Sequence, residues 1–401
     1  MSQTHAKAKT VPYGRAARYS EEELNELREA IEQGTLFYAQ GKKVRCLEET
    51  YAGMVGARFG VACTSGTAAI HSALIALGIS PGDEVITSPI TDMGSVIPIM
   101  YQGAAPVFAD LDPRTYNLLP ESVEERITPR TRAVLAVHLA GNACDLAGLL
   151  AVCERHGVPL VEDCAQAFGC VYRGRPVGTW GKLGCFSFNE FKHISCGDGG
   201  MVVTDDEELA ARLRLATDKC YDRRPGIAVR NPTFLANNYR MTELQGAVAL
   251  AQCRKLDEIV RRRRAWCGRL TVMLAGVPGI MLPQITEGCD PSWWFYMMRA
   301  EGAADRADAL AKAMGEEGIP VGAHYIGAPV YDYPLFRNGS AFTRGRHAYL
   351  DYTYGPGLCP NAEAILATCL ILGINEGYTE QDLEETALGI RRAAEARCRE
   401  A

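Results

Sequence analysis

The chain has 401 residues, which at roughly 150 per domain allows two or three domains and a large core, and excludes a disulfide-stapled miniature fold. Lys and Arg number 42 against 48 Asp and Glu, a net charge of −6, which speaks against a nucleic-acid or anionic-membrane partner because either demands a basic surplus. The first ten residues lack the apolar core of a signal peptide and no stretch approaches the ~18 apolar residues of a membrane span, so the expected location is the cytoplasm.

Residues 1–19 are polar and irregular and read as an N-terminal arm. Ser20 and Glu23 then form a capping box ahead of Leu24, Leu27 and Ile31 at helical spacing, with Gly34 as the stop. Between about 55 and 204, short apolar runs at 60–63, 84–87, 106–109, 133–138, 159–162, 185–188 and 201–204 read as strands, with helical patterns at 67–77 and 145–156 among them. Strands joined by helices define an α/β class, a mostly parallel sheet sandwiched by helices. A long helical pattern starts near Arg240 and passes Arg264, with Arg261–Arg264 as a solvated face. Trp293–Tyr296 reads as a strand of the small domain that packs in the core or touches substrate, and Thr379 with Asp382 opens a closing helix through a second capping box. A boundary near 260 separates a large domain at 20–260 from a smaller C-terminal α/β domain at 261–401. The fifteen cysteines are scattered, odd in number and free of Cys-x-x-Cys pairs, which favours reduced, buried thiols over a disulfide framework or a zinc site, so no metal is expected.

Three segments carry chemistry. Thr64-Ser65-Gly66-Thr67 sits where a strand gives way to a helix, so its amides and hydroxyls suit an anion at the positive helix end, or serve only to cap that helix. Val161-Glu162-Asp163-Cys164-Ala165-Gln166 ends a strand with two adjacent carboxylates on opposite faces, one of which can reach the crevice at the carboxyl edge of the sheet, where Asp163 binds a ligand or caps the next helix. Lys192, between an apolar strand and the loop Gly197-Asp198-Gly199-Gly200, is either an exposed loop lysine or a desolvated amine that attacks carbonyls. An anion-binding helix start, an acid and a lysine in this order are what pyridoxal phosphate (PLP) needs for its phosphate, its pyridine nitrogen and its aldehyde. His138 at a strand end, and His324 with Tyr325 before Gly327, are candidates for substrate contact beside a structural role.

At these residues the chain resembles the PLP-dependent sugar and cyclitol aminotransferases of the DegT/StrS family, which have the fold-type-I aspartate aminotransferase architecture. The resemblance runs from about Leu36 to the C-terminus. It rests on Ser65-Gly66-Thr67, Pro81-Gly82-Asp83-Glu84-Val85, Glu162-Asp163, Phe186-Ser187-Phe188 with Lys192, the glycine-rich loop, and Asn238-Tyr239-Arg240 with Glu243-Leu244-Gln245. It implies that Lys192 binds the PLP aldehyde, Asp163 pairs with the pyridinium, Gln166 donates to the phenolic oxygen, and Gly66, Thr67 and Ser187 hold the phosphate. Asn238 is implied as a phosphate contact given by the neighbouring subunit, hence a homodimer with shared sites.

The resemblance further implies an amino donor, glutamine or glutamate, and a keto-sugar or keto-cyclitol acceptor, in an aminosugar, aminocyclitol or antibiotic pathway. The family's ring-stacking aromatic is absent, because Ser88-Pro89-Ile90-Thr91 is followed by Asp92. Asp92 is therefore expected either to cap a helix starting near Gly94 or to hold a substrate hydroxyl, with Met93 or another apolar neighbour over the ring. His193 beside Lys192 is similar to the family's dehydratase branch, in which histidine replaces the lysine, but the lysine is present here. A keto-deoxysugar dehydratase and a PLP-binding regulator without turnover are the alternative readings.

Overall fold

The computed structural model describes residues 6–223, 230–339 and 352–400. Helix α1 (Glu21–Glu32) carries the expected capping box, in which Ser20 and Glu23 satisfy each other's backbone donors. The next helix, α2 (Lys43–Val55), has no side-chain cap of its own; the buried Glu243 carboxylate accepts from the amides of Lys43 and Val44 at 2.7 and 3.1 Å. There follow β1 (Phe59–Cys63), α3 (Gly66–Leu77), β2 (Glu84–Thr87), α4 (Met93–Tyr101), β3 (Ala105–Phe108), α5 (Pro120–Arg126), β4 (Thr131–Val137), α6 (Leu146–His156) and β5 (Leu160–Asp163). A short hairpin of β6 (Val171–Tyr172) and β7 (Arg175–Pro176) leads to β8 (Leu183–Ser187), β9 (Gly200–Thr204) and α7 (Glu207–Thr217). All seven expected strands are present, each displaced by no more than two residues from its sequence position.

Seven of these strands form one sheet in the order β1-β9-β8-β5-β4-β2-β3, in which six run in one direction and β9 alone is reversed. Alternate residues enter separate apolar layers, as the two-residue period of a strand requires. Val61, Val85, Leu135, Val161 and Val202 pack on the α3 side, while Ala62, Ile86, Val134, Leu160 and Val203 pack on the other. Along β8 the alternation sends Phe186 into edge-to-face contact with Tyr51 at 4.9 Å between ring centroids. Such pairs add about 0.5–1.5 kcal/mol beyond burial, and they fix the strand whose next residue, Ser187, opens toward the sheet's carboxyl edge.

The long helical pattern after Arg240 is two helices, α8 (Glu243–Cys253) and α9 (Leu256–Leu274). Tertiary contacts hold the break: Lys255 reaches Ser20 and Glu23, and the fully buried Gln252 donates to Glu23 at 2.8 Å and to the Arg18 carbonyl at 2.7 Å. The basic run on α9 is only half a solvated face. Arg261 and Arg262 pair with exposed Glu258, but Arg263 is buried against Glu376 at 2.8 Å and Arg264 donates to the carbonyls of Gly169, Asp290 and Pro291.

The remaining elements are β10 (Ile280–Met281), β11 (Cys289–Asp290), β12 (Phe295–Ala300), α10 (Ala304–Glu316), β13 (Val321–Ala323), α11 (Pro334–Arg337), α12 (Pro360–Thr368), β14 (Cys369–Gly373) and α13 (Glu380–Glu400). An antiparallel sheet in the order β10-β12-β14-β13 has its own apolar cluster against α9, α10 and α13, while Val330, Tyr331, Phe336 and Ile365 pack with the seven-stranded sheet. Thr379 and Asp382 make the second capping box. All fifteen cysteines are free and eleven are buried. Among the described residues no helix is long and apolar enough to cross a membrane.

Candidate active site

The six co-directional strands end on one edge, and part of the residues singled out from the sequence, Ser65–Thr67, Asp163, Gln166, Ser187 and Lys192, lie at it or in the loops that follow it. Where β1 ends, Ser65 is the N-cap of α3 and its hydroxyl accepts from the Ala68 amide at 3.1 Å. The Ala69 amide bonds the Ser65 carbonyl, so the first two helical amides, of Gly66 and Thr67, are left to face outward. A Cβ on Gly66 would lie 2.6 Å from the Ser187 Cβ, so glycine is what lets the end of β8 close on the start of α3. Two amides at a helix N-terminus and the Ser187 hydroxyl then share one corner, the chemistry an anion such as a phosphate requires, while the Thr67 hydroxyl lies against Gly94 at the start of α4.

Asp163 ends β5 and is 4% exposed. Its carboxylate accepts from the Ser95 hydroxyl at 2.7 Å and the Ala165 amide at 3.0 Å, and Ser95 is itself bonded to Thr91. Burial raises the Asp163 pKa, against the lowering effect of those two donors and of the charge on Lys192. Among the described residues the donors bonded to this buried carboxylate are neutral, so it can take a bonded positive group as well. Gln166, also buried, accepts from the Ala140 amide at 2.9 Å through its oxygen, which leaves its amide nitrogen free to donate toward Tyr325 and the crevice.

Lys192 lies four residues beyond Phe188 in the loop after β8, and its ammonium sits 4.0 Å from the centroid of the Trp294 ring. The Trp294 indole N–H is spent on the Phe191 carbonyl at 2.7 Å. Burial pushes the Lys192 pKa below the usual lysine value, against the raising pull of Asp163 and Asp92. That is the condition for a lysine to act as a nucleophilic free amine. The sequence placed Trp294 in the core or against substrate and did not indicate a position over the lysine. Trp293, with φ +53°, and Phe295 and Tyr296 do enter the core, but the left-handed turn at Trp293 swings the next indole onto Lys192.

Several expectations are corrected. His138 is fully buried behind the edge: its Nε2 lies 3.0 Å from Glu162, its Nδ1 accepts from the Cys144 amide at 3.1 Å, and no face is left for a substrate. Glu162 also accepts from the amides of Gly178 and Gly181 at 2.7 Å, so the pair anchors the loop ahead of β8. His138, Glu162 and Cys164 crowd together as metal ligands would, but a backbone donor at Nδ1 keeps the proton on Nε2, the atom a metal would need. His324 turns away from the crevice to Asp308 at 3.1 Å and the Leu366 carbonyl at 3.0 Å; its neighbour Tyr325 is the one that faces Gln166 and Asp92. His193 is buried, 3.0 Å from the Ser292 carbonyl, and desolvation pushes its pKa well down.

Asp92 is the N-cap of α4, accepting from the Gly94 amide at 2.7 Å, and it remains exposed at the mouth near Tyr325 and Tyr333. Asn238 lies outside the crevice of its own chain, exposed, in an isolated antiparallel bridge with Asp218. Tyr38, Arg223 and Arg240 all donate to the buried Asp218 carboxylate, at 2.8, 2.6 and 2.5 Å, and against the raising effect of burial they hold its pKa at about 2.

A phosphate corner, a buried acid and a depressed lysine at the carboxyl edge of this seven-stranded sheet define a PLP-dependent transferase of fold type I. The chain matches the DegT/DnrJ/EryC1/StrS aminotransferase family over residues 17–391 and belongs to that family; it is a PLP-dependent aminotransferase. It is similar to the spore coat polysaccharide biosynthesis protein SpsC of Bacillus subtilis (strain 168), 33% identical over 383 residues that make up 92% of this chain and 94% of that protein. It is also similar to the GDP-perosamine synthase of Caulobacter vibrioides, 38% identical over 286 residues, 70% of this chain and 76% of that one. Among solved structures, 3-amino-5-hydroxybenzoic acid synthase matches with a TM-score of 0.85 at 29% identity, covering 98% of this chain and all of the other. DesV of S. venezuelae matches with a TM-score of 0.84 at 32% identity, covering 95% and 99%.

Proposed function

We propose that the protein moves an amino group from glutamine or glutamate to the keto group of a sugar or cyclitol, with Lys192 and Asp163 as its catalytic residues. The observation that carries this is the buried Asp163 carboxylate facing the desolvated Lys192 amine beside the free amides at the start of α3. The residues fit the cofactor: Gly66 leaves the space a side chain would fill, and the donors bonded to the Asp163 carboxylate, Ser95 and Ala165, are both neutral, so a pyridinium would add a charged one. Bound there, PLP supplies the carbonyl carbon that accepts the amino group and the ring that takes up the electron pair. Gly66, Thr67 and Ser187 hold its phosphate, Asp163 holds the proton on the pyridine nitrogen, and Gln166 donates to the phenolic oxygen. With the cofactor held there, Lys192 would take the proton from the donor's α-carbon and pass it to the carbonyl-derived carbon that has received the amino nitrogen.

Neither the dehydratase nor the regulatory reading is favoured. The former needs a histidine in place of the lysine, and His193 is buried away from the crevice. The test is to mix the yellow holoprotein with donor amino acids, follow conversion to the amine form of the cofactor, and then challenge that form with keto-sugars, keto-inositols and nucleotide-linked ketones. A conversion that no ketone reverses rejects the proposed acceptor class.

The same two half-reactions examine Asp92. One carboxylate oxygen caps α4, and we assign the other to a hydroxyl of the acceptor. Asp92→Asn keeps the cap and gives up a charge-assisted hydrogen bond, so the acceptor half-reaction is expected to slow about tenfold while the donor half is spared. Equal loss in both halves rejects the assignment.

A homodimer with shared sites completes the reading. Asn238 is exposed, the nearby Leu235 is 94% exposed, and Arg223, Arg240 and Tyr38 line a cavity of about 750 Å³ beside α2 and α7. Asn238→Ala is expected to weaken cofactor retention by about 10- to 150-fold, the worth of a charge-assisted hydrogen bond. Mixed dimers of Asn238→Ala with Lys192→Ala chains place both lesions in one site and leave the other intact. A fully active monomer overturns the shared site.

A further inference from the structure

Residues 6–19 of the N-terminal arm run between two parts of the molecule that the sequence alone did not connect with it. At one end it lies along α13 and the turn before it. Lys9, 4% exposed, bonds Asp382 at 2.6 Å and Glu385 at 3.0 Å, the Gly14 amide bonds Asp382 at 3.0 Å, and Tyr13 meets Thr386 at 2.7 Å. The backbones touch: a Cβ on Gly377 would lie 2.1 Å from the Ala16 amide nitrogen. At the other end the arm reaches the active-site loop. The Arg18 guanidinium donates to the main-chain carbonyl of Lys192 itself at 2.9 Å, and the Tyr19 hydroxyl bonds Glu190 in the same loop. The Arg18 carbonyl is in turn held by the buried Gln252 at 2.7 Å.

A second route joins the same turn to the same lysine. Glu376, one residue before Gly377, pairs with the buried Arg263, whose guanidinium donates to the carbonyls of Trp293 and Trp294 at 3.3 and 3.2 Å. Trp294 is the ring over the Lys192 ammonium. The lysine is thus gripped at its backbone by one chain from this turn and at its side-chain tip by another.

We propose that residues 6–19 are a strap that sets the Lys192 loop against the body built on the four-stranded sheet, with Arg18 as the positioning residue for Lys192. Arg18 touches no reacting atom. Its hydrogen bond fixes the peptide plane after Lys192 and with it the direction in which the side chain leaves the loop. Movement of the four-stranded body is transmitted to that plane through Lys9, Gly14 and Ala16 at one end and Arg18 at the other. The proposal rests on the reading of Lys192 as the cofactor's lysine.

The test uses full-length Arg18→Ala, Arg18→Lys and Lys9→Ala proteins. In cofactor-free protein, trace labelling with acetic anhydride over a pH series, read by mass spectrometry, reports the reactivity of the Lys192 amine, with Lys182 as internal reference. Arg18→Ala is expected to change Lys192 labelling and kcat by about fivefold, the worth of one ordinary hydrogen bond, with KM for the donor unchanged. Arg18→Lys, which keeps a donor, restores at least half of both, and Lys9→Ala shifts Lys192 labelling in the same direction from the far end. Unchanged Lys192 labelling in Arg18→Ala overturns the proposal, as does an equal change at Lys182, which marks a general loosening. If borohydride instead fixes the cofactor to a different lysine, the catalytic reading fails while the labelling result still decides the strap.

Discussion

Lys192→Ala is expected to abolish the covalent link between protein and cofactor and to lower turnover at least about 10⁴-fold, the upper end of what one general base supplies. No other lysine can take over. The nearest in sequence, Lys182, precedes β8 and bonds the Leu160 carbonyl at the start of β5, which places it at the opposite edge of the sheet. Borohydride reduction of the wild-type holoprotein followed by peptide mapping is expected to place the pyridoxyl group on Lys192. A label elsewhere, or a variant that turns over within tenfold of wild type, removes the assignment. Lys192→Arg offers a second check: it keeps the charge over Trp294 but cannot lose its proton, so it is expected to fold normally and remain inactive.

Asp163→Asn is expected to have the next largest effect. The amide fills the same space beside Ser95 and Ala165 but carries no charge to hold a proton on the pyridine nitrogen. Turnover is expected to fall by about 100-fold or more, since a charge-assisted bond in a dry site is worth about 1.5–3 kcal/mol in binding alone. Stability should not fall with it. A carboxylate whose pKa burial has raised is an electrostatic burden in the cofactor-free fold, so the apoprotein is expected to melt at the same temperature or higher. Turnover within threefold of wild type, or a variant that loses both stability and turnover, rejects a cofactor-directed role.

The strands and both capping boxes were legible because each is a local matter. A run such as 84–87 needs only its own apolar residues and flanking turn signals, and Ser20 and Glu23 satisfy each other within one helical turn. Ser65–Thr67 and Asp163 could be placed at the carboxyl edge from the sequence because each sits at the end of such a strand, and Lys192 because it follows one by a short loop; their roles toward the cofactor remain the proposal made above. What escaped was direction. His324 and Tyr325 both have left-handed backbones, φ +65° and +42°, so which side chain enters the crevice depends on a conformation neither residue signals. Trp294 escaped for the same reason, since the turn that aims it is at a tryptophan rather than a glycine. The break between α8 and α9 is held by α1 and the arm, residues more than two hundred positions away in sequence, beyond any local window.

The reversed strand has a consequence for the order in which the molecule is assembled. β1 has one neighbour in the sheet, and that neighbour is β9, so residues 59–63 acquire their pairing only when residues 200–204 arrive. Closing so long a loop precedes any reward from the contacts it makes, which places the step late in folding. Ser65 and Gly66 follow directly from β1, whereas Ser187 ends β8 on the other flank of β9; the two halves of the phosphate corner therefore meet only across that final strand. On the proposed reading of that corner, a chain lacking residues 200–204 is expected to have no seat for the phosphate. Cofactor uptake is then expected to report that β1 and β8 have closed on β9.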